Sequence, residues 1–138
     1  MTARPSARMR QQVRRRAGGR CEYCLIHEDD SYVSYQIDHI LARKHGGTTI
    51  LNNLAFACVL CNRHKGSDVA APDPGTGEIV PLFHPRRQRW QEHFALRDAL
   101  IIPLTSTGRA TVALLRLNAP ERVLERTELF KAGRYGLP

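Results

Sequence analysis

The chain has 138 residues, of which 42% are hydrophobic, so it is long enough for one compact domain with short appendages but not for two full domains. No stretch reaches the apolar length of a membrane span, and the N-terminus lacks the apolar core of a signal peptide. We therefore expect a cytoplasmic protein that has no membrane partner and keeps its thiols reduced.

The formal net charge of +8 is concentrated at the N-terminus. Residues 1–20 contain seven arginines and no acidic side chain, whereas the rest of the chain contains 14 of the 21 basic and all 13 acidic side chains, a balance of +1. Each phosphate contact by an arginine releases counterions, so this arm indicates a polyanionic partner. We predict phosphate contacts for Arg14, Arg15 and Arg16; a solubilising helix face is the simpler alternative.

In chain order, the first predicted element is a helix over residues 5–17, where apolar residues recur one turn apart and a Gly-Gly pair follows. β-Branched and aromatic residues at 31–37 predict a strand. Glycines and asparagines at 43–53 predict a loop. A short apolar run at 54–57 follows, and residues 62–70 are typical of a short helix or a turn.

The second half alternates loop, strand and helix patterns. The predicted order is a loop at 72–77, a strand at 78–83, a helix at 84–97, a strand at 98–105, a helix that begins near Thr105 or Thr107 and runs to 117, and a helix at 120–131. Trp90 and Phe94 lie one turn apart and are expected in the core. The basic cluster before them (His84, Arg86, Arg87 and Arg89) could extend a nucleic-acid surface or simply begin a charged helix.

The four cysteines form two matched pairs, Cys21-x-x-Cys24 and Cys58-x-x-Cys61. Each C-x-x-C turn brings two thiolates together, and two such turns complete the tetrahedron that structural Zn²⁺ prefers. Redox motifs or buried free cysteines are the alternatives, but a redox motif is expected in a thioredoxin-like βαβ context, which is missing. Because four cysteines fill the tetrahedron, zinc should hold the fold without taking part in chemistry, and His27 is not expected to be a ligand.

A second ordered set of residues lies between and after the cysteine pairs: Ile37-Asp38-His39-Ile40, Gly46-Gly47, Asn53-Leu54 and Asn62-x-x-Lys65. Together with the cysteines, this set resembles the HNH endonuclease family, whose motif runs C-x-x-C, D-H-I, G-G, N-L and C-x-x-C-[HN]-x-x-K. The resemblance covers residues 20–66. It implies an α+β fold with a small ββα-metal (His-Me finger) core, a four-cysteine zinc site and flanking N- and C-terminal helices.

The implied organisation has three parts: a basic helix or arm at 1–19, a zinc-knuckle nuclease core at 20–70, and a strand and helix extension at 71–138 that packs on the core. The amphipathic segments of the extension could instead form the face of a homodimer. The sequence does not decide the oligomeric state.

The resemblance also implies a role for each motif residue. His39 matches the general base that activates water, and Asn53 matches the asparagine that organises the loop and orients His39. Asp38 and Asn62 match the two ligands of a catalytic divalent ion. Many members have histidine where this chain has Asn62, so the chain is an H-N-N variant. An amide oxygen beside a carboxylate favours Mg²⁺ or Mn²⁺.

Two histidines and one lysine near the motif leave alternatives open. His64 could replace Asn62 as a ligand if the register shifts, although residues two apart on a helix lie on different faces. His45, His64 and Lys65 could contact DNA phosphates or be ordinary surface side chains.

The implied activity is metal-dependent cleavage of double-stranded DNA. A zinc-stabilised nucleic-acid-binding module without catalysis is the main alternative, and a nuclease fold kept for protein interaction is a third. Only Asp38, His39 and Asn62 favour the enzyme. Because adjacent strand residues point to opposite faces, Asp38 and His39 can share a site only where the strand ends or bends.

Overall fold

The computed structural model describes residues 4–138, so the first three residues of the predicted basic arm lie outside the described range. The helices are α1 (Ala7–Arg16), α2 (Val59–Lys65), α3 (Trp90–His93), α4 (Ser106–Leu114) and α5 (Pro120–Lys131). The strands are β1 (Gln36–His39), β2 (Leu54–Ala57), β3 (Ala70–Pro72), β4 (Ile79–Pro81), β5 (Phe94–Arg97) and β6 (Leu100–Pro103). This is the predicted α+β class. Within residues 4–138, no helix is long and apolar enough to cross a membrane.

The ββα unit lies in the first half of the chain. β1 pairs antiparallel with β2, from Gln36 opposite Ala57 to His39 opposite Leu54. Every residue of β2 is buried, and α2 begins two residues after that strand ends and packs against β1. The long connection between the strands therefore returns to the end of β1 that carries His39.

Helix α1 confirms the first prediction closely. The Ser6 hydroxyl caps its N-terminus by accepting a hydrogen bond from the amide of Met9 at 3.2 Å, and Val13 is its buried residue. Gly18 and Gly19 follow with φ values of 64° and 74°, a left-handed conformation that glycine adopts without strain. A Cβ on Gly19 would also lie 2.5 Å from a ring atom of His27, so this turn requires glycine.

The first strand is shorter than the predicted 31–37 segment. The hydroxyl of Ser31 accepts a hydrogen bond from the amide of Val33 at 3.2 Å and donates one to its carbonyl at 3.0 Å. This local turn competes with strand pairing, and Tyr32 and Val33 project into solvent. The ladder begins only at Gln36.

The predicted helix over 84–97 is wrong for most of its length. Only Trp90–His93 is helical, and Phe94–Arg97 instead forms a hairpin with Leu100–Pro103. Asp98 has a φ of 53° at the turn between these strands, which Asp tolerates better than most residues. Strand pairing thus replaces helical hydrogen bonds here, although Phe94 is buried in the core as expected.

The C-terminal part of the chain packs on the first half. The Tyr135 hydroxyl donates to the carbonyl of Cys24 at 2.7 Å, and the indole of Trp90 donates to the carbonyl of Tyr23 at 2.9 Å. Helix α4 begins after Thr105, whose hydroxyl accepts from the amide of Gly108 at 3.0 Å, and ends earlier than predicted. Helix α5 has the predicted bounds.

Candidate functional site

The four cysteines meet at one place. Their sulfur atoms all lie within 4.8 Å of one another, and those of Cys24 and Cys58 are 3.8 Å apart. Three of the four residues are fully buried. The two C-x-x-C turns, 33 residues apart in the sequence, therefore form one tetrathiol cluster, which we call the cysteine cluster.

Local structure aims each pair at this cluster. The amide of Leu25 donates to the carbonyl of Cys21 at 3.0 Å, and Leu25 adopts a φ of 70°, which closes the first turn. The second pair is built into α2, because Cys58 is its N-cap and its sulfur accepts from the amide of Cys61 at 3.4 Å. The amide of Glu22 bonds the carbonyl of Phe56 at 2.8 Å, which joins the first turn to β2.

The chemistry of this donor set fits zinc. Burial raises the pKa of the thiols of Cys21 and Cys61, whereas hydrogen bonds from the other cysteines lower the pKa of Cys24. A dication stabilises all four as thiolates, which are the ligands that structural Zn²⁺ takes. The cluster therefore indicates a structural zinc site.

The candidate catalytic residues meet at a second place. Asp38, His39 and Asn62 line one hollow of ≈ 270 Å³, together with Arg43, and we call this the Asp38 hollow. Asp38 and His39 are the last two residues of β1, and the chain bends away beyond them. The end of the strand thus meets the geometric condition for two adjacent residues to share a site.

Asp38 lies at the base of the hollow and is 4% exposed. One carboxylate oxygen accepts from the hydroxyl of Tyr23 at 2.9 Å, and both oxygens lie 3.3–3.4 Å from the ammonium of Lys65. Burial raises the pKa of Asp38, and the charge of Lys65 counteracts that effect. Two carboxylate oxygens can accept about four hydrogen bonds, so room remains for an ion on the open side.

The structure corrects the prediction that Lys65 contacts phosphate or lies in solvent. A phosphate contact or a solvated surface position would both require an exposed ammonium, but Lys65 is 2% exposed. Its ammonium donates to the carbonyl of Ile40 at 3.1 Å as well as to Asp38. The side chain points inward because a buried carboxylate needs a cationic partner.

His39 is partly buried at the rim of the hollow. Its Nε2 lies 2.9 Å from the hydroxyl of Thr49. Burial, followed by the charge of Arg43, lowers the pKa of His39, so the neutral ring predominates near neutral pH. Asn62 also faces the hollow, and its Nδ2 donates to the side-chain oxygen of Gln36.

Asn53 ties together the two ends of the loop between the strands. Its Oδ1 accepts from the amide of Leu41 at 2.9 Å, and its Nδ2 donates to the carbonyls of Leu41 and Thr48 at 3.0 and 2.9 Å. This geometry matches the loop-organising position that the resemblance implies. Its part in catalysis stays a prediction.

The remaining predicted contact residues are spread over several environments. His45 is exposed on a short 3-10 turn, and His64 is half-buried on α2 and is not among the residues lining the hollow within the described range. In the arm, Arg15 is exposed, and Arg14 donates to Glu28 at 2.8 Å while remaining half-exposed.

Arg16, a predicted phosphate contact, and Arg86, for which a nucleic-acid surface was one of two alternatives, both donate to backbone carbonyls of the fold. Arg16 donates to the carbonyls of Leu51 and Leu54 at 3.0 and 2.6 Å. Arg86 pairs with Glu22 and donates to the same Leu54 carbonyl at 3.2 Å. Both guanidiniums therefore satisfy backbone acceptors in or just before β2, and a phosphate contact by Arg16 stays a prediction.

Comparison with known families agrees with this geometry. Residues 21–68, about a third of the chain, match the family described as HNH endonuclease. The chain contains an HNH endonuclease domain. This domain includes both halves of the cysteine cluster and all three candidate catalytic residues of the Asp38 hollow. The family implies nucleic acid as the class of partner. No curated protein and no solved structure matched the chain significantly.

Three side chains of the HNH domain were not singled out from the sequence. Tyr23 contacts Asp38 from inside the first C-x-x-C turn, Thr49 contacts His39, and Arg43 lines the hollow. A tyrosine or threonine at a position that the family motif leaves unspecified does not by itself indicate a chemical role. The run Arg43-Lys44-His45 is a visible basic cluster, and that signal could have drawn attention to Arg43.

Proposed function

We propose that this protein is an HNH endonuclease that hydrolyses phosphodiester bonds in double-stranded DNA at the Asp38 hollow. The observation that carries the proposal is that Asp38, His39 and Asn62 line one hollow although Asn62 lies far from the other two in sequence. A hydrolase of this kind needs a base, an anionic ion-binding group and open space for a phosphate, and the hollow offers all three.

His39 is the proposed general base. The hydrogen on Nε2 would be donated to the Thr49 hydroxyl at 2.9 Å, which leaves Nδ1 with the lone pair that takes a proton from water. Burial lowers the pKa of His39, so the ring is ready to accept that proton near neutral pH. In this proposal, Thr49 fixes the tautomer, and Asn53 holds the loop that carries Thr49.

Asp38 and Asn62 are the proposed ligands of the catalytic ion. Their oxygen donors suit Mg²⁺ or Mn²⁺, and the Nδ2 contact to Gln36 directs the amide so that Oδ1 is the atom left for an ion. When bound, such an ion stabilises charge on the phosphate and on the leaving oxygen. Tyr23 and Lys65 hold the Asp38 carboxylate in place from the buried side.

The exposed basic residues around the hollow are the proposed DNA contacts. Arg43, Lys44 and His45 form one exposed turn beside His39, and Arg15 adds charge from α1. Side chains of this kind bind phosphates without regard to sequence. The proposed role of zinc is purely structural, because four cysteines leave no open coordination position.

The test is cleavage of supercoiled plasmid in Mg²⁺ or Mn²⁺. We expect His39→Ala to lower the rate at least about 100-fold, since a positioned general base contributes about 10²–10⁴-fold. His64→Ala is the matched control, because His64 also lies in the HNH domain but does not line the hollow, and it should cut like the wild type. Equal rates for His39→Ala and the wild type would refute the assignment of His39. A selective loss in His64→Ala would move the ion site to His64.

A non-catalytic nucleic-acid-binding module is the second candidate. It is favoured by one observation: the Asp38 carboxylate is already bonded by Lys65 and Tyr23 and therefore does not need an ion. Fluorescence anisotropy with a labelled DNA duplex separates the two. Binding without any cleavage of plasmid in either metal would support the module and contradict the nuclease.

A further inference from the structure

Arg122, the third residue of α5, is a buried cation beside the cysteine cluster and is 3% exposed. One terminal nitrogen of its guanidinium lies 3.1 Å from the sulfur of Cys61 and 3.7 Å from that of Cys58. The other terminal nitrogen donates to the carbonyls of Leu115 and Arg116 at 2.8 and 3.4 Å. A residue far outside the HNH motif thus reaches the cluster.

Of the groups hydrogen-bonded to this guanidinium, the sulfurs are the ones that can carry negative charge. A buried arginine requires compensating negative charge, and the carbonyls of Leu115 and Arg116 are neutral. Four thiolates around one Zn²⁺ carry a net charge of −2, so the cluster supplies that charge when zinc is bound. The attraction is mutual, because the guanidinium also offsets the excess negative charge of the cluster.

We propose that Arg122 is part of the zinc site as a positioning residue that donates to the thiolates of Cys58 and Cys61. Such hydrogen bonds orient the ligands and withdraw electron density from sulfur, which stabilises the negatively charged zinc-bound cluster. Because the same guanidinium holds the loop before α5, zinc binding and packing of the C-terminal helix are coupled. The proposal concerns zinc retention and does not depend on nuclease activity.

Arg126 provides a matched control on the same helix. It lies one turn after Arg122 and is also fully buried, but its guanidinium donates to the carbonyls of Ala99 and Leu117 at 2.8 and 2.6 Å and to the side chain of Asn118 at 2.9 Å. None of these partners is a zinc ligand. Replacing Arg126 therefore perturbs the packing of α5 without removing a bond to sulfur.

The test measures zinc affinity by chelator competition at one pH, on samples whose circular dichroism shows the folded state. We expect Arg122→Met to raise the zinc dissociation constant about 10–100-fold, as loss of an outer-shell partner of a metal ligand does in other sites. Arg126→Met should raise that constant by a clearly smaller factor, because it perturbs the packing of α5 without removing a bond to sulfur. Arg122→Lys keeps the charge but loses the fork, so an intermediate value is expected.

A spectroscopic readout separates a bond to sulfur from a general loss of stability. With Co²⁺ in place of zinc, loss of the hydrogen bonds in Arg122→Met should shift the sulfur-to-metal charge-transfer band to lower energy, because the sulfur electrons become easier to remove. Arg122→Lys, which keeps the charge, should shift the band by a smaller amount. Arg126→Met should leave the band in place. If Arg122→Met does not fold, Arg122→Lys gives the same comparison.

Three results would overturn the proposal. One is a wild-type protein that binds no zinc. Another is an equal change in zinc affinity in the Arg122 and Arg126 variants, which would trace the effect to packing alone. The third is an unchanged affinity and an unchanged cobalt band in the Arg122 variants.

Discussion

The cysteine cluster and the Asp38 hollow lie in the same HNH domain and differ in almost every physical respect. The cluster is closed, since its donors are sulfurs, mostly buried and within 4.8 Å of one another. The hollow is open to solvent, and its donors are oxygens and an imidazole on two different parts of the chain, β1 and α2. The cluster connects the two halves of the domain, whereas the hollow lies at its surface.

This difference is the one expected between a site that stabilises a fold and a site that acts on a substrate. A site that holds a fold must be saturated by protein ligands, while a site that acts on a substrate must leave positions for it. Asp38 is intermediate, because one side of its carboxylate is bonded inside the protein and the other faces the hollow. Substitutions at the two sites should therefore affect folding and cleavage in opposite proportions.

The largest loss of stability is expected from a substitution in the cysteine cluster. Cys61→Ser should abolish the cooperative folded state, because zinc binding at sites of this kind is worth about 10–16 kcal/mol. A whole domain is stable by only about 5–15 kcal/mol. Thermal unfolding followed by circular dichroism, with zinc content measured alongside, tests this. A Cys61→Ser protein that melts within a few degrees of the wild type would show that the cluster does not hold the fold.

An intermediate effect on stability is expected at Lys65, which lies beneath the hollow. Lys65→Met should destabilise the protein by about 3–5 kcal/mol, because it leaves the buried Asp38 carboxylate without its cation. Urea unfolding measures this, and Lys44→Met, at an exposed position, should change stability by less than about 0.5 kcal/mol. Adding Asp38→Leu to Lys65→Met should restore part of the lost stability. If the double variant is no more stable than Lys65→Met, the pairing is not the cause.

The smallest effect on stability is expected at the rim of the hollow. Asn62→Ala should change the free energy of unfolding by about 0.5 kcal/mol or less, since its side chain is partly exposed. It should nevertheless weaken Mn²⁺ binding, measured by titration calorimetry, while the zinc content stays constant. Asn62→His should move the preference of the hollow towards softer transition ions. A loss of zinc from either variant would show that the two sites are not independent.

The sequence was most informative where the chemistry itself requires particular residues. Cysteine spacing led to the cluster, and the order of Asp38, His39, Asn53 and Asn62 led to the HNH domain, because these residue types are rarely interchangeable at a metal or proton-transfer site. Helices α1 and α5 were also predicted well, since caps and terminal glycine or proline mark their ends.

The sequence was least informative where contacts with distant parts of the chain determine the local structure. The 84–97 segment has a helical pattern, but its last four residues pair with β6 and form a strand instead. Lys65 is a charged residue of a type that usually faces solvent, but the buried Asp38 carboxylate holds it inside the protein, whereas Arg16 stays exposed while it donates to two backbone carbonyls. Those partners come from distant parts of the chain, which no local pattern reveals.

The double role of Cys58 affects the order in which parts of the domain are expected to fold. It is both a member of the cysteine cluster and the N-cap of α2, the helix that carries Asn62 and Lys65. The first turn of a helix is the costly one to form, and α2 spans only seven residues, too few to be stable alone. We therefore expect α2, and with it the positions of Asn62 and Lys65, to become ordered only once the cluster has bound its metal.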